Sequence, residues 1–361
     1  MKIALLGDIA FFGAYSLTNN PQIRDRLSVM EEYLSKFDIV VGNLETPFSV
    51  EKQKHGAKSA YICSDVCNAD LLSYLHIGVV NLANNHMFDF GQEGFITTCK
   101  ELDKRGIKHF GSNVETVQFN LDGNKLFFGG YCCYSSNPLN LSKESNRNCL
   151  NPYNVNDVID IVKSKHDSLC ILSVHAGLEH VNYPSIDHIK AARLIAESGQ
   201  YVYYGHHPHV IQGVDIFNQS LIFHSLGNFC FDEIYENGSK VPKVKMTEQN
   251  RLGAIAELTI ENNTVVDWKL SVIKIEPDGY LHLINDTNFI SEFNDRISMS
   301  LDSSDTYNTF RRQLLADWLS KQKEKRNICW YIKHLSPRFV KLFIDVRHNK
   351  KEYRRNVLQY L

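Results

Sequence analysis

The chemistry-bearing residues of this chain gather most densely at Gly205-His206-His207-Pro208-His209. Three imidazoles fall within four positions, directly after the apolar run Tyr201-Val202-Tyr203-Tyr204. Such a run reads as a buried strand, and an open α/β sheet keeps its ligands beyond the carboxyl ends of its strands. Neutral imidazole is the commonest protein ligand for borderline transition metals, and residues two apart in an extended or turning segment can face one cavity. A metal site is the leading expectation, set against a histidine-rich surface turn or a pair of satisfied core histidines. Ser225-Leu226-Gly227-Asn228-Phe229 continues the same stretch.

Further donors stand at other strand ends. Lys2 to Leu6 is a short apolar run that ends at Gly7-Asp8, where a glycine lets the backbone turn sharply and Asp8 project from the sheet edge. Phe37 to Val41 repeats the pattern and runs into Gly42-Asn43-Leu44-Glu45. Gly78 to Leu82 opens into Asn84-Asn85-His86, with Asp89 and Gly91 close behind. Leu169 to Val174 delivers His175, then Gly177 and Glu179. Oxygen and nitrogen donors without thiolates suit Mn, Fe, Zn or Mg ions rather than Cu(I) or an iron–sulfur cluster.

The elements that must position these donors alternate. Helical spacing over Arg24–Lys36, Asp65–His76 (Asp65 as N-cap) and Gln92–Arg105 separates strands at Lys2–Leu6, Phe37–Val41, Gly78–Leu82 and Ile107–Phe110. That β-α-β order is the signature of a layered α/β domain. Strands at Leu126–Tyr134 and Leu169–Val174 and helices at Val155–Lys165 and Ile186–Ser198 continue it. Leu221–Ser225, Gly253–Ile260 and Thr264–Ile275 form a β-rich, antiparallel closing section.

Beyond about residue 290 the pattern changes, dividing the chain into a domain at 1–290 and a basic helical extension at 291–361. Tyr307–Arg326 and Trp330–Tyr360 read as helices carrying Trp318, Trp330, Tyr331, Phe339 and Phe343, the second broken at Pro337. Between Arg311 and Arg355 stand 14 Lys and Arg against 4 Asp and Glu, leaving 25 against 37 in the remainder. The body is acidic and the tail basic, although the formal net charge is only −2. Such a tail either lies on an anionic membrane surface, docks on a membrane-bound synthase, or packs on the domain. Nucleic acid is a weaker expectation, because no nucleic-acid-binding motif accompanies the charge.

At 361 residues, 43% hydrophobic and 22% charged, the composition is that of an ordinary globular chain. The N-terminal apolar run is too short for a signal-peptide core, and no later run reaches the length of a spanning helix, so the expected compartment is the cytoplasm, peripheral at the inner membrane. Nine cysteines, most of them in apolar segments, read as packed thiols rather than a disulfide framework. Cys63 and Cys67 lack the second pair that a zinc knuckle needs.

Taken together, Gly7-Asp8, Asn43-Leu44-Glu45, Asn81 to His86 with Asp89 and Gly91, His175 with Gly177 and Glu179, Gly205 to His209, and Ser225 to Asp232 resemble the bacterial CapA family of capsule synthesis, within the calcineurin-like metallophosphoesterase superfamily. The resemblance runs from about residue 2 to about 275 and leaves the basic tail uncovered. It implies a four-layer αββα sandwich with a centre of two divalent metal ions at the strand ends. Glu45 then resembles the carboxylate bridging both metals, Asp8 and His209 ligands of the first, and Asn85, His175 and His207 ligands of the second. His86 and Asp89 resemble the pair that stabilises charge or protonates a leaving group. Glu179, His206, Ser225 and Asn228 would contact substrate, with His206 able to exchange roles with His207.

Three departures accompany it. Ala10 stands where the superfamily carries a histidine, which leaves the first metal short of a ligand, and Ala176 and His188 replace a Trp and a Gln. The expected activity is metal-dependent hydrolysis, of a phosphoester in the first place and of an amide in the second, in capsule or cell-surface polymer synthesis. Two cations about 4 Å apart lower the pKa of a shared water and clamp phosphoryl oxygens. The alternative is an accessory partner of a membrane-bound polymer synthase with a degenerate site.

Overall fold

Strand β1 (Lys2–Ile9) leads through helix α1 (Ile23–Leu34) to β2 (Ile39–Leu44), through the short α2 (Asp70–Tyr74) to β3 (Val79–Asn81), and through α3 (Gly91–Lys104) to β4 (Lys108–Phe110). The four strands are parallel neighbours in that order. The structure is a computed structural model that describes residues 1–50, 53–56, 58, 60–113, 116–142, 148–235, 239–285, 287–302, 304–324 and 337–361. A hairpin of β5 (Val117–Leu121) and β6 (Asn124–Cys132) opens a second sheet. It continues through α4 (Val155–Ser164), β7 (Leu169–His175), α5 (Ile186–Ala196) and β8 (Tyr201–His206), and closes with β9 (Val214–Phe217) and β10 (Ser220–Phe223) in the order β5-β6-β7-β8-β10-β9.

The chain then returns to the first sheet. Strand β11 (Asn228–Cys230) pairs parallel to β1, β12 (Ile234–Tyr235) and β13 (Pro242–Val244) form a small separate hairpin, and β14 (Leu252–Glu261), β15 (Thr264–Ile275) and β16 (Leu281–Ile284) extend the sheet beyond β1 as antiparallel strands. The antiparallel expectation holds for β14 and β15, whereas β10 pairs parallel to β8 and antiparallel only to β9, and β16 was not anticipated.

Side-chain alternation sorts the layers. In β1 and β2, Ala4, Leu6 and Val40 face α1, α2 and α3, while Ile3, Leu5, Ile39 and Val41 meet Phe128, Ile171, Val202 and Phe223 of the second sheet. On that sheet's far side, Phe127, Cys170, Leu172 and Tyr201 pack on Val158, Val162, Ala192 and Ile195 of α4 and α5. The order is helix, sheet, sheet, helix: the expected four-layer αββα sandwich. Strands covered on both faces must be apolar throughout, which is why their runs are continuous.

Some elements differ from the sequence reading. Residues Val66–Ala69 form a 3-10 turn before α2 instead of one helix from Asp65, whose side chain caps nothing. The cause is Asn68, whose amide is drawn inward to Phe11 O (3.0 Å), Ser64 Oγ (3.1 Å) and Leu17 N (2.8 Å). Strand β5 was not anticipated, yet Asp122 and Gly123, both at positive φ (50° and 77°), make the two-residue turn that its hairpin requires.

The extension packs on the sandwich. Helices α6 (Asn288–Asp302) and α7 (Ser304–Glu324) bring Phe293, Ile297 and Tyr307 against Tyr183 and Ile189. Tyr307 donates its hydroxyl to Pro184 O at 2.8 Å. Of the helix expected over Trp330–Tyr360, residues 330–336 lie outside the described residues, and the described part is α8 (Pro337–Asn356). Its end buries Val357 among the α4 and α5 residues. Trp330 and Tyr331 lie outside the described residues.

His224 follows β10 with Nε2 buried and unpartnered. Burial pulls its imidazole down from 6.5 to about 4, against a smaller opposing influence of Asp215. The unfolded chain therefore holds this proton more tightly. Its contribution to stability is complete above about pH 6.5, declines through the interval down to about 4, and is worth on the order of 3 kcal/mol. His224→Gln should narrow the gap between urea midpoints measured at pH 7 and pH 5, and an unchanged gap would show that the ring does not titrate in that interval.

Candidate metal centre

The sheets abut at the carboxyl ends of β1, β2, β7 and β8, and a register step decides what meets there. Leu5 pairs with Val41 but Asp8 pairs with Asn43, so β1 uses three residues where β2 uses two. The extra residue is a bulge that turns Asp8 to the face already occupied by Leu5. Gly7 stays within the strand. Its role is not the sharp turn expected of it but close approach, since a Cβ there would lie 2.1 Å from Gly227 O. Gly205 does the same on β8, where a Cβ would lie 1.9 Å from His224 O.

Asp8, Asn43 and Asn81 form one cross-strand row. Asn81 donates to Asn43 Oδ1 at 3.0 Å, and Asn43 donates to Asp8 Oδ1 at 2.7 Å. This relay orients Asp8, and neither amide stood among the expected site residues. Opposite the row, His206 Nδ1 lies 3.2 Å from Asp8 Oδ1 and His209 Nδ1 lies 3.4 Å from Asp8 Oδ2. The backbone reaches this geometry at positive φ for both His207 (94°) and His209 (55°), a strain that non-glycine residues adopt where surrounding contacts enforce it.

Glu45 occupies the middle. Its Oε1 lies 3.6 Å from His209 Nε2 and 3.8 Å from His175 Nε2, and neither carboxylate oxygen has a hydrogen-bond partner although the residue is fully buried. Asp8, Glu45 and His209 place ligand atoms within 4.8 Å of one another. On the other side, Asn85 Oδ1 lies 2.9 Å from His175 Nε2, and the His207 ring packs 4.8 Å from that of His175. Both ring nitrogens of His206 and Nδ1 of His207 are likewise buried without a hydrogen bond. An unpaired carboxylate sealed from water costs on the order of several kcal/mol, and a cation removes that cost. The residues present therefore fit divalent metal.

Electrostatics point the same way. Burial opposes ionisation of Asp8, but the adjoining imidazoles of His206 and His209 hold its carboxyl well below the usual range. Burial raises Glu45 well above it, with Asp8 and Glu179 adding to the rise and His209 opposing it. Burial and neighbouring imidazoles pull His175 well down, and burial pulls His207 to about 4, leaving both in the neutral form that ligates. His209 goes the other way: Glu45 and Asp8 outweigh its burial and push it to about 10.

Beside the cluster, a cavity of about 150 Å³ is lined by Asn85, His86, Glu179, His209, Asn228 and Lys58, among others. His86 Nδ1 is 2.7 Å from Asp89 Oδ2, and Lys58 Nζ is 2.6 Å from Asp89 Oδ1. Asp89 thus orients His86 and caps no helix, since Phe90 holds that position. Lys58 also donates to Asn85 O, with a side chain only 5% exposed. It sits in a polar loop whose sequence carries no signal. Nothing anticipated His180 either; its Nδ1 takes Asn250 Nδ2 at 2.9 Å on the cavity wall.

The twelve expected site residues mostly converge here. Asn228 lies 3.0 Å from His209 Nδ1, and Glu179, on the cavity wall, is held below the usual carboxylate range by His207 and His209 despite its burial. Ser225 is the exception. It is buried with its hydroxyl accepting from Gly227 N at 3.2 Å, so it shapes the turn that presents Asn228 and does not line the cavity. Ala10, at the place of the missing histidine, is enclosed by Ile62 and Phe231. His188 packs under Tyr353 of α8 and faces no substrate space. Ala176 is buried against the α5 layer.

The chain is thus an αββα sandwich with carboxylates and imidazoles converging, as a candidate metal centre, where its sheets abut. Residues 2–233 match the family described as bacterial capsule synthesis protein PGA_cap, and the chain belongs to that family. It is 29% identical over 218 residues to the capsule biosynthesis protein CapA of Bacillus anthracis, covering 56% of this chain and 52% of that one. It is 25% identical over 245 residues to the PGA biosynthesis protein CapA of Bacillus subtilis, covering 64% of each. The chain thus spans between half and two thirds of these relatives. Among solved structures, a 5'-nucleotidase precursor from Thermus thermophilus overlaps with a TM-score of 0.43 at 14% identity, covering 83% of this chain and 59% of that one.

The unpaired carboxylate gives a prediction of definite sign. In metal-free protein, Glu45→Gln should raise the Tm at neutral pH, because it removes a group that burial either leaves charged or forces to take up a proton. The same variant should lose the rise in Tm that Mn²⁺ or Zn²⁺ gives the wild type. A metal-induced rise equal to that of the wild type would remove Glu45 from the ligand set.

Proposed function

We propose that the chain is a hydrolase dependent on two divalent metal ions, acting as a phosphoesterase in the biosynthesis of a capsule or cell-surface polymer, polysaccharide or poly-γ-glutamate. The observation that carries the reading is Glu45, with two unpartnered oxygens between Asp8, His206 and His209 on one side and His175, Asn85 and His207 on the other. Divalent Mn, Fe, Zn or Mg held by these residues supplies Lewis-acid neutralisation of phosphoryl charge and a water of lowered pKa.

The chain's own groups do the rest. Asp89 draws the His86 proton to Nδ1, leaving Nε2 as the free nitrogen of a ring on the cavity wall. Burial and the Lys58 charge lower the His86 pKa, so at neutral pH Nε2 is an acceptor that takes a proton and returns it to a leaving oxygen. Lys58 balances Asp89 and holds the Asn85 carbonyl, fixing the loop that carries both Asn85 and His86. Glu179 repels a second anion from the far wall and so bears on which part of a phosphoester or polymer enters. The same centre supports amide hydrolysis of a γ-linked peptide as a variant of this reading.

One observation favours a second reading, a weakly catalytic accessory of a membrane-bound polymer synthase: the Ala10 side of the centre is filled by Ile62 and Phe231 instead of an imidazole. The two separate on His86. As a hydrolase, His86→Ala should lose about 10²–10⁴-fold in kcat on a phosphoester panel assayed with each metal, with metal content by elemental analysis unchanged. Undiminished polymer synthesis in cells carrying either His86→Ala or Glu45→Gln would overturn the hydrolase and leave the accessory role.

A further inference from the structure

Helix α8 meets the sandwich with only one of its sides. Asn356 accepts from Asn154 Nδ2 at 2.7 Å, Tyr353 lies edge-on to His188, and Asn349 donates to Asn137 Oδ1 at 2.9 Å. The opposite side is a single stripe at helical spacing, made of Val340, Phe343, Ile344, Arg347, Lys350, Lys351 and Arg354. Its first part is apolar and open, with Val340, Phe343 and Ile344 exposed at 56%, 67% and 60%. Its second part is cationic, with exposed Arg355 beside it. The helix's two acids, Asp345 and Glu352, are half-buried, and Glu352 accepts from Asn356.

Three neighbouring apolar side chains left in water on one helix call for a cover, and the charge around them selects it. A second copy would bring the same cations face to face, which like-charge repulsion opposes. A nucleic-acid backbone would take the cations but give Val340, Phe343 and Ile344 nothing to bury against. An anionic bilayer takes both, with the apolar residues in the acyl boundary and the cations among the headgroups. Among the described residues no helix is long and apolar enough to cross a membrane, so the contact is interfacial.

We propose that α8 docks the protein on an anionic lipid surface through Val340, Phe343 and Ile344, with Arg347, Lys350, Lys351 and Arg354 on the headgroups. The anchoring contact adds a consequence. Asn137, which Asn349 holds, lines the cavity beside the metal centre, and the 3-10 turn Tyr134–Ser136 that precedes it packs on α8. Docking therefore sets the rim of the cavity beside the bilayer, where a substrate carried on lipid or a polymer emerging from a membrane-bound synthase is presented. That last consequence alone rests on the hydrolase reading; the docking does not.

The test is co-sedimentation of the full chain with vesicles of phosphatidylcholine alone and of phosphatidylcholine mixed with phosphatidylglycerol. Binding should require the anionic lipid and weaken with rising salt. Lys350→Glu with Lys351→Glu should weaken partitioning about tenfold or more, and Phe343→Glu with Ile344→Glu should do likewise, each with the wild-type Tm because these residues are exposed. Binding to neutral vesicles of equal strength, variants that sediment like the wild type, retention by duplex DNA without vesicle binding, or a dimer dissolved by Phe343→Glu would each overturn the proposal. None of these readouts depends on hydrolytic activity.

Discussion

A carboxylate buried with both oxygens unpartnered is the constraint around which this molecule is arranged. Glu45 cannot be solvated and is not hydrogen-bonded, so its environment must supply positive charge or force it to take a proton. Asp8 shows the contrasting solution a few ångströms away. There an amide relay from two neighbouring strands and the nearby imidazoles keep the charge in place. One acid prepared to stay ionised beside one that needs a cation is an electrostatic division of labour. Packing alone gives no reason for it.

Holding that arrangement requires the segment 224–227, which carries the chain from β10 of one sheet to β11 of the other, to pass closer to β8 and β1 than side chains permit. Gly7 and Gly205 remove the obstruction, each immediately before a ligand-bearing residue, while the bulge in β1 puts Asp8 in phase with Asn43 and Asn81. The strained φ of His207 and His209 belongs to the same arrangement. The sandwich's apolar layers stabilise the remainder of the fold and so offset a local geometry that would not persist in isolation.

The sequence made the layers legible because both sheets are covered on both faces, so their strands appear as uninterrupted apolar runs between helical periods. It made the ligands legible because an α/β sheet sends its polar residues to the strand ends. What escaped was everything whose position depends on long-range partners. Asn68 tightens a helix into a 3-10 turn through contacts more than fifty residues away, at Phe11 and Leu17. Lys58 reaches Asp89 from a loop with no periodicity. Ser225 stood in a motif that pointed to the cavity, but its hydroxyl was claimed by the amide two residues on. Local spacing says which residues end a strand; it does not say which of them the neighbouring chain will take.

Ala10 tests how far a missing ligand weakens the centre. Among the described residues, Ile62 and Phe231 close that side with apolar side chains. Yet Asp8 does not lack imidazole contacts, because His206 lies at one of its oxygens and His209 at the other. The GHHPH segment offers three rings where two suffice to flank the cluster, and His206 is buried with neither nitrogen hydrogen-bonded. The alanine in β1 thus leaves Asp8 with two imidazoles from the end of β8. Nitrogen donors therefore stand at both oxygens of Asp8, which is the reason to propose two metal ions for this centre despite the alanine.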